Sequence, residues 1–242
     1  MNDRFRILKK RLIKARGFFW LAYSALCLRF TALNQFFLQR RIRRAKVDRL
    51  HVGCGHVIVS GWLNMSYEKR EEYGRLKKKN NAFWLNYKLP NRLPFEDESI
   101  QYLAGSHFIE HLDLNEGMEF FKEAFRIMKR GGMIHISCPD LDIYVQNYVQ
   151  RNRSFFEHPL IQEACTFKNA GTFGALFIAK AYDSGGAHRW FYDFESLKNV
   201  LERTGFEEVK KITRLNSQIP DMEKIELPER EIETLYVEAV KP

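Results

Sequence analysis

Residues 50–64 read LHVGCGHVIVSGWLN. A short apolar run ends in Gly53-Cys54-Gly55, and a second strand-like run starts after Gly61-Trp62. Glycine tolerates positive φ and lets a ligand or a packed side chain approach the backbone closely. In open α/β sheets, ligands bind beyond the carboxyl ends of the strands. This stretch therefore predicts a strand that ends in a tight turn, built either for a ligand or for close packing.

The rest of the body continues as an alternation of strands and helices. Apolar runs bounded by turn residues predict strands at 49–53, 61–68, 81–89, 99–108, 133–139, 206–215 and 232–242. Strands that alternate with helices form a mostly parallel sheet with helices on both faces. The sequence therefore predicts an α/β fold.

Two helices are marked by the residues at their ends. Asp113, with Glu116 three positions later, resembles a capping box, and Gly131-Gly132 predicts the end of that helix. A second helix of period 3.6 covers 193–206, with Gly205 as its C-cap.

The charge is divided unevenly along the 242 residues. Residues 1–46 carry thirteen Lys or Arg and one acid, whereas 47–242 carries 26 basic and 29 acidic residues. We therefore expect a basic helical arm, 1–46, and one domain, 47–242, with an insertion at about 140–192 near the substrate side of the sheet. The four cysteines show no metal spacing and are interpreted as buried thiols of a reducing compartment: Cys27, Cys54, Cys138 and Cys165.

The arm contains an apolar stretch, 17–44, flanked by basic residues. Polar residues interrupt it too early for a transmembrane helix, and a secretory cleavage site is lacking. Apolar residues at spacings of three or four favour an amphipathic helix: Phe19, Tyr23, Leu26, Phe30, Leu33 and Phe37. Docking on a membrane surface or on a partner, packing on the body and a signal anchor all remain open, whereas no nucleic-acid module accompanies the charge.

Longer motifs resemble the class I S-adenosylmethionine-dependent methyltransferases, most closely a subgroup associated with bacterial cell-surface polysaccharide synthesis. The motifs that carry the resemblance span 49–242 in the family's order: LHVGCG, GWLN, LPFEDESIQYLAGSHFIEHL, EAFRIMKRGGMIHISCPDLD, HRWFYDFESLKNVLERTGF and LYVEAVKP. The resemblance implies a Rossmann-like, mostly parallel sheet whose last strand is antiparallel, and S-adenosylmethionine as cofactor.

The resemblance also implies which residues meet the cofactor. Gly53, Cys54 and Gly55 would surround its amino-acid part, and Ser106 and His107 would lie beside the sulfonium.

Two positions depart from the family pattern. The acid that binds both ribose hydroxyls at the end of the second strand is replaced by Ser66, with Glu68 two positions later. A carboxylate suits that task because it accepts two hydrogen bonds. Near the adenine, an expected Asp is replaced by Asn86 or Lys88. We include Ser66 and Glu68 among the cofactor-binding candidates.

Methyl transfer to a hydroxyl benefits from a base that removes its proton. The candidates are His107, Glu110, His111, Asp140 and His188, and we expect catalytic roles for His107, Asp140 and His188. His107 and His111 would share a face of a helix. HExxH is absent, so we expect no metal.

These observations predict methyl transfer to a sugar hydroxyl or another small envelope precursor, lipid-linked if the arm docks on a membrane. The expected location is the cytoplasm, at the inner face of the membrane. Two alternatives remain. The fold could be a catalytically silent scaffold or partner subunit docked at a membrane, because the ribose acid is missing. It could also be an RNA methyltransferase recruited by the arm.

Overall fold

The computed structural model describes residues 35–67, 74–79, 81–89, 92–163, 172–182 and 188–242. The chain divides into two units, Met1–Ala45 and Lys46–Pro242. In the first unit, the described residues 35–45 form helix α1. Its buried residues are Leu38 and Ile42, whereas Phe37, predicted on the apolar face, is 58% exposed. The rest of the predicted arm helix lies outside the described residues.

The second unit is built on an eight-stranded sheet of order β3-β4-β2-β1-β5-β6-β8-β7. Its strands are β1 Arg49–Val52, β2 Leu63–Ser66, β3 Leu76–Lys79, β4 Ala82–Asn86, β5 Ile100–Ser106, β6 Met128–Pro139, β7 Glu207–Ile212 and β8 Thr234–Val240. Strands β4, β2, β1, β5 and β6 are parallel, and β8 is antiparallel to both its neighbours. The predicted fold, a Rossmann-like sheet with an antiparallel last strand, is confirmed. The antiparallel edge strand β3 was not predicted.

The helices of this unit are α2 Leu114–Ile127, α3 Leu141–Val149, α4 Arg153–Phe156, α5 Pro159–Glu163, α6 Phe173–Tyr182, α7 Phe194–Arg203 and α8 Met222–Ile225. The capping box of Asp113 and Glu116 at the start of α2 is confirmed. At the other helix, α7, the C-cap is Thr204, and Gly205 follows it at φ 103°. Within the described parts of the chain, no helix is long and apolar enough to cross a bilayer.

The predicted end of α2 was wrong. The helix stops at Ile127, and β6 runs straight through Gly131-Gly132. The last helical carbonyls, of Arg126 and Ile127, accept hydrogen bonds from the backbone N–H groups of Glu98 and Ser99. These bonds from the neighbouring loop end the helix before the glycines are reached.

The two faces of the sheet are covered differently. Helix α2 packs on the face that contains Gly105, through the ring contact of Phe108 with Phe120. On the other face, Ala104 packs in a cluster with Met222 and other apolar residues of the segment around α8. The predicted insertion holds α3 to α6, whose aromatic and aliphatic side chains form a separate small core: Tyr144, Phe155, Phe156, Ile161 and Leu176.

Candidate functional site

The carboxyl ends of the parallel strands meet at one edge of the sheet, and the glycine turn lies there. Gly53 and Gly55 have φ of 69° and 49°, in the left-handed region. The turn is tied to β2 because the N–H of Cys54 donates to the carbonyl of Met65 at 3.1 Å. Cys54 and Cys138 are both buried, and neither forms a disulfide within the described residues. The predicted strand and turn are thus both present.

The two glycines differ in their surroundings. A Cβ built on Gly53 would lie 2.3 Å from Cβ of Phe108, and one built on Gly105 would lie 2.1 Å from Cε1 in the ring of Phe108. A Cβ on Gly55 would meet nothing within 4 Å. Gly53 therefore serves the packing of Phe108, and Gly55 is the residue that leaves its side open to a ligand.

At the end of β2, Ser66 occupies the position of the expected acid. Its hydroxyl accepts a hydrogen bond from Nε1 of Trp84 at 3.3 Å. The following residue, Tyr67, is 44% exposed and lies under Nζ of Lys88. Glu68, the other candidate for the ribose hydroxyls, lies outside the described residues.

Ser106, predicted beside the sulfonium, belongs to a buried polar network. Its hydroxyl donates to Oε2 of Glu226 at 3.0 Å, and Ser137 donates to Oε1 at 2.7 Å. The imidazole of His135 lies between the carboxylates of Glu226 and Glu238, at 3.0 and 3.1 Å. Burial lowers the pKa of His135, but the two carboxylates outweigh burial and raise it. No sequence pattern indicated Glu226 as a member of this network.

His107 follows β5 at φ 48°, and its side chain is 7% exposed. Its Nε2 lies 2.8 Å from Oγ1 of Thr234. Its Nδ1 lies 3.1 Å from Nη1 of Arg230 and 3.5 Å from Oε1 of Glu110. Both ring nitrogens of His107 thus contact other side chains. To act as the base that removes the proton of an acceptor hydroxyl, His107 has to break one of these contacts.

Asp140 is also buried and engaged. One carboxylate oxygen accepts from the N–H of Asp142 at 3.0 Å, which caps α3, and the other accepts from Nζ of Lys211 at 2.9 Å. These partners give Asp140 a structural role at the start of α3, and its predicted catalytic role stays a prediction.

His111 does not share a helix with His107. The turn after β5 is a single 3-10 turn, Ile109–His111, and His107 lies outside it. Instead His111 faces His188, with ring centroids 5.1 Å apart. Glu110 lies beside both histidines. Burial raises its pKa, but the hydrogen bond with His107 and the charges of the three imidazoles together lower it to about 2.

Comparison with known proteins shows what this part of the chain is similar to. Residues 50–136 match a family model described as a methyltransferase domain. The cofactor that this similarity indicates is S-adenosylmethionine, as the resemblance implied. No curated protein matches the chain in sequence.

The solved structures that match the chain include methyltransferases. A SAM-dependent methyltransferase from Thermotoga maritima is 20% identical with a TM-score of 0.40; the match covers 67% of this chain and 65% of that one. A SAM-dependent methyltransferase from Archaeoglobus fulgidus is 16% identical with a TM-score of 0.43, covering 86% and 94%. The chain therefore spans just under two thirds of the Thermotoga protein.

The turn at Gly55 fits this cofactor, because a side chain there would fill the space that the turn leaves open. Gly53, Cys54 and Gly55 would hold the amino-acid part, and the hydroxyl of Ser66 would face the ribose. When bound, S-adenosylmethionine supplies a methyl group activated by a sulfonium.

Proposed function

We propose that this domain transfers a methyl group from S-adenosylmethionine to a hydroxyl of a saccharide, and that this saccharide is lipid-linked. The observation that carries the proposal is the group of polar side chains that lies beyond the carboxyl end of β5. Glu110, His111 and His188 lie together there, and a group of this kind suits hydrogen bonding to a polyhydroxyl acceptor better than to an apolar one.

The lipid link is supported by the arm. Residues 1–46 combine thirteen basic residues with a long apolar stretch. Such segments bind anionic membrane surfaces, which would bring the domain to the inner face of the membrane, beside a lipid-linked acceptor.

The direct test is methyl transfer from labelled S-adenosylmethionine to two acceptors: a lipid-linked oligosaccharide in anionic vesicles and the same oligosaccharide without the lipid. We expect both acceptors to become labelled, and we expect the full chain to label the lipid-linked form faster. A chain that lacks residues 1–46 should label the two acceptors at similar rates. Labelling of RNA in preference to both acceptors would contradict it.

The second candidate is a catalytically silent scaffold, and Ser66 favours it. If the ribose meets Ser66, Ser66→Asp should tighten binding of S-adenosylhomocysteine by about tenfold, because hydrogen bonds to a charged group are worth roughly 1.5–3 kcal/mol. Ser66→Ala serves as the matched control. The scaffold predicts no binding to the parent chain or to Ser66→Ala.

A further inference from the structure

We infer that Glu110, His111 and His188 form a binding site for a divalent transition-metal ion. A carboxylate oxygen of Glu110 and one ring nitrogen of each histidine lie within 4.8 Å of one another. Glu110 and His111 are neighbours on the 3-10 turn after β5, whereas His188 comes from the far end of the insertion. The fold, rather than the sequence spacing, brings the three together.

The carboxylate of Glu110 lacks a partner on one side. The residue is only 2% exposed. Its Oε1 faces His107 at 3.5 Å, but its Oε2 is buried and has no hydrogen-bond partner in the described parts of the chain. A buried carboxylate oxygen without a partner is costly. A bound cation would satisfy it.

The backbone holds the segment of His188 against the turn. The N–H groups of Arg189 and Trp190 donate to the carbonyl of Glu110, at 2.8 and 3.2 Å. The guanidinium of Arg189 also pairs with the carboxylates of Asp113 and Glu116 at the start of α2. The position of His188 beside Glu110 is therefore fixed by two main-chain hydrogen bonds and by the two ion pairs of the neighbouring Arg189.

The ligand set indicates the kind of ion. Two imidazoles and one carboxylate are typical of catalytic zinc sites and of related first-row ions, whereas Mg²⁺ and Ca²⁺ prefer oxygen ligands. Ligands at about 2.1 Å in a tetrahedral site are about 3.4 Å apart, so the three side chains need to close by roughly one ångström. His111 is exposed and gives the ion a path of entry.

His107 completes the site as a positioning residue. It contacts Oε1 of Glu110 and is itself held by Thr234 and Arg230. Such outer contacts orient metal ligands. An ion with three protein ligands keeps an open position, which a hydroxyl of the acceptor would occupy; this last role rests on the proposed function.

The test is calorimetric titration of the full chain with Zn²⁺ after removal of metal by chelation and dialysis. We expect one ion per chain, with affinity about 100-fold weaker or worse in His111→Ala and His188→Ala. His158→Ala, at a histidine outside the cluster, is the matched control and should bind as the parent does. Titration of each variant with S-adenosylhomocysteine checks that the cofactor side is intact.

Absence of Zn²⁺ binding to the parent, or binding that survives in His188→Ala, would overturn the site and show a cluster of purely structural contacts. The result is separable from the proposed function. Zn²⁺ binding without S-adenosylhomocysteine binding leaves the metal site standing and removes the methyl transfer, and the reverse pattern removes only the metal site.

Discussion

At the scale of single residues, Gly53 and Gly55 show how one motif combines two roles. Both have positive φ, yet only Gly53 is pressed against another side chain, that of Phe108. The sequence predicted the turn correctly but treated the glycines as equivalent. Which glycine meets a neighbour depends on where Phe108 lies after folding, and no local pattern encodes that contact.

The two glycines should therefore respond differently to substitution. Gly53→Ala places a Cβ 2.3 Å from Phe108 and should lower the free energy of unfolding by about 2–4 kcal/mol. Gly55→Ala introduces only backbone strain, which should lower the free energy of unfolding by about 1 kcal/mol. It should also weaken the binding of S-adenosylhomocysteine. Denaturant unfolding and calorimetry measure the two effects. Equal losses of stability in both variants would contradict the assignment.

A second residue-scale feature is the buried pair of His51 and Asn64. Nδ1 of His51 lies 3.2 Å from Oδ1 of Asn64, and Asn64 also donates to the carbonyls of Val59, Trp62 and Phe83. Burial lowers the pKa of His51 to about 4, against smaller opposing effects of Asn64 and Glu226. The folded protein therefore keeps this imidazole neutral.

Stability should consequently depend on pH through His51. Between about pH 6.5 and pH 4, His51 binds a proton in the unfolded chain but stays unprotonated in the folded protein. The free energy of unfolding therefore falls as the pH falls through this range, by about 3 kcal/mol in all. His51→Gln should flatten this slope in urea unfolding at several pH values. A variant with the parent's slope would rule out His51 as its source.

At the scale of elements, the helices and strands with strong local sequence signals were predicted correctly, and those with weak signals were not. The capping box of α2 and the strands from β1 to β6, apart from β3, follow from cap residues and apolar runs. Strand β3 has the sequence LKKK, which lacks an apolar pattern because it lies at the sheet edge. The cluster of Glu110, His111 and His188 was missed because its members come from two distant segments.

The caps of α2 and α7 allow a matched comparison. Asp113 and Asp193 each form a capping box, but only Asp113 also pairs with Arg189. Asp193→Ala should lower the free energy of unfolding by about 1 kcal/mol. Asp113→Ala should cost a similar amount plus up to about 1 kcal/mol that disappears in high salt. Chemical unfolding at low and high NaCl measures both; a salt-insensitive difference would argue against the ion pair.

At the scale of the whole molecule, charge separates the arm from the domain. The excess of basic residues lies in 1–46, while 47–242 is slightly acidic. Composition alone predicted this division, because charge counts need no knowledge of the fold. What the arm binds depends on its partner, which composition does not specify.

Binding to anionic vesicles should therefore depend on the arm. Four exposed arginines lie on the described part of α1: Arg40, Arg41, Arg43 and Arg44. Replacing all four by Gln should weaken binding to phosphatidylglycerol vesicles, measured by sedimentation, by roughly 100-fold or more, since each basic residue near the surface contributes about 1 kcal/mol. Neutral vesicles are the control. Unchanged binding after removal of 1–46 would contradict membrane docking by the arm.

The most direct measurement of the central claim is calorimetric titration of the full chain with S-adenosylhomocysteine, the product left after methyl transfer. The open space at Gly55 predicts micromolar binding with one site per chain, and Gly55→Val should abolish it while the fold persists. Absence of binding at millimolar concentrations would contradict a working methyltransferase and leave the loss of the ribose acid at Ser66 as the decisive feature.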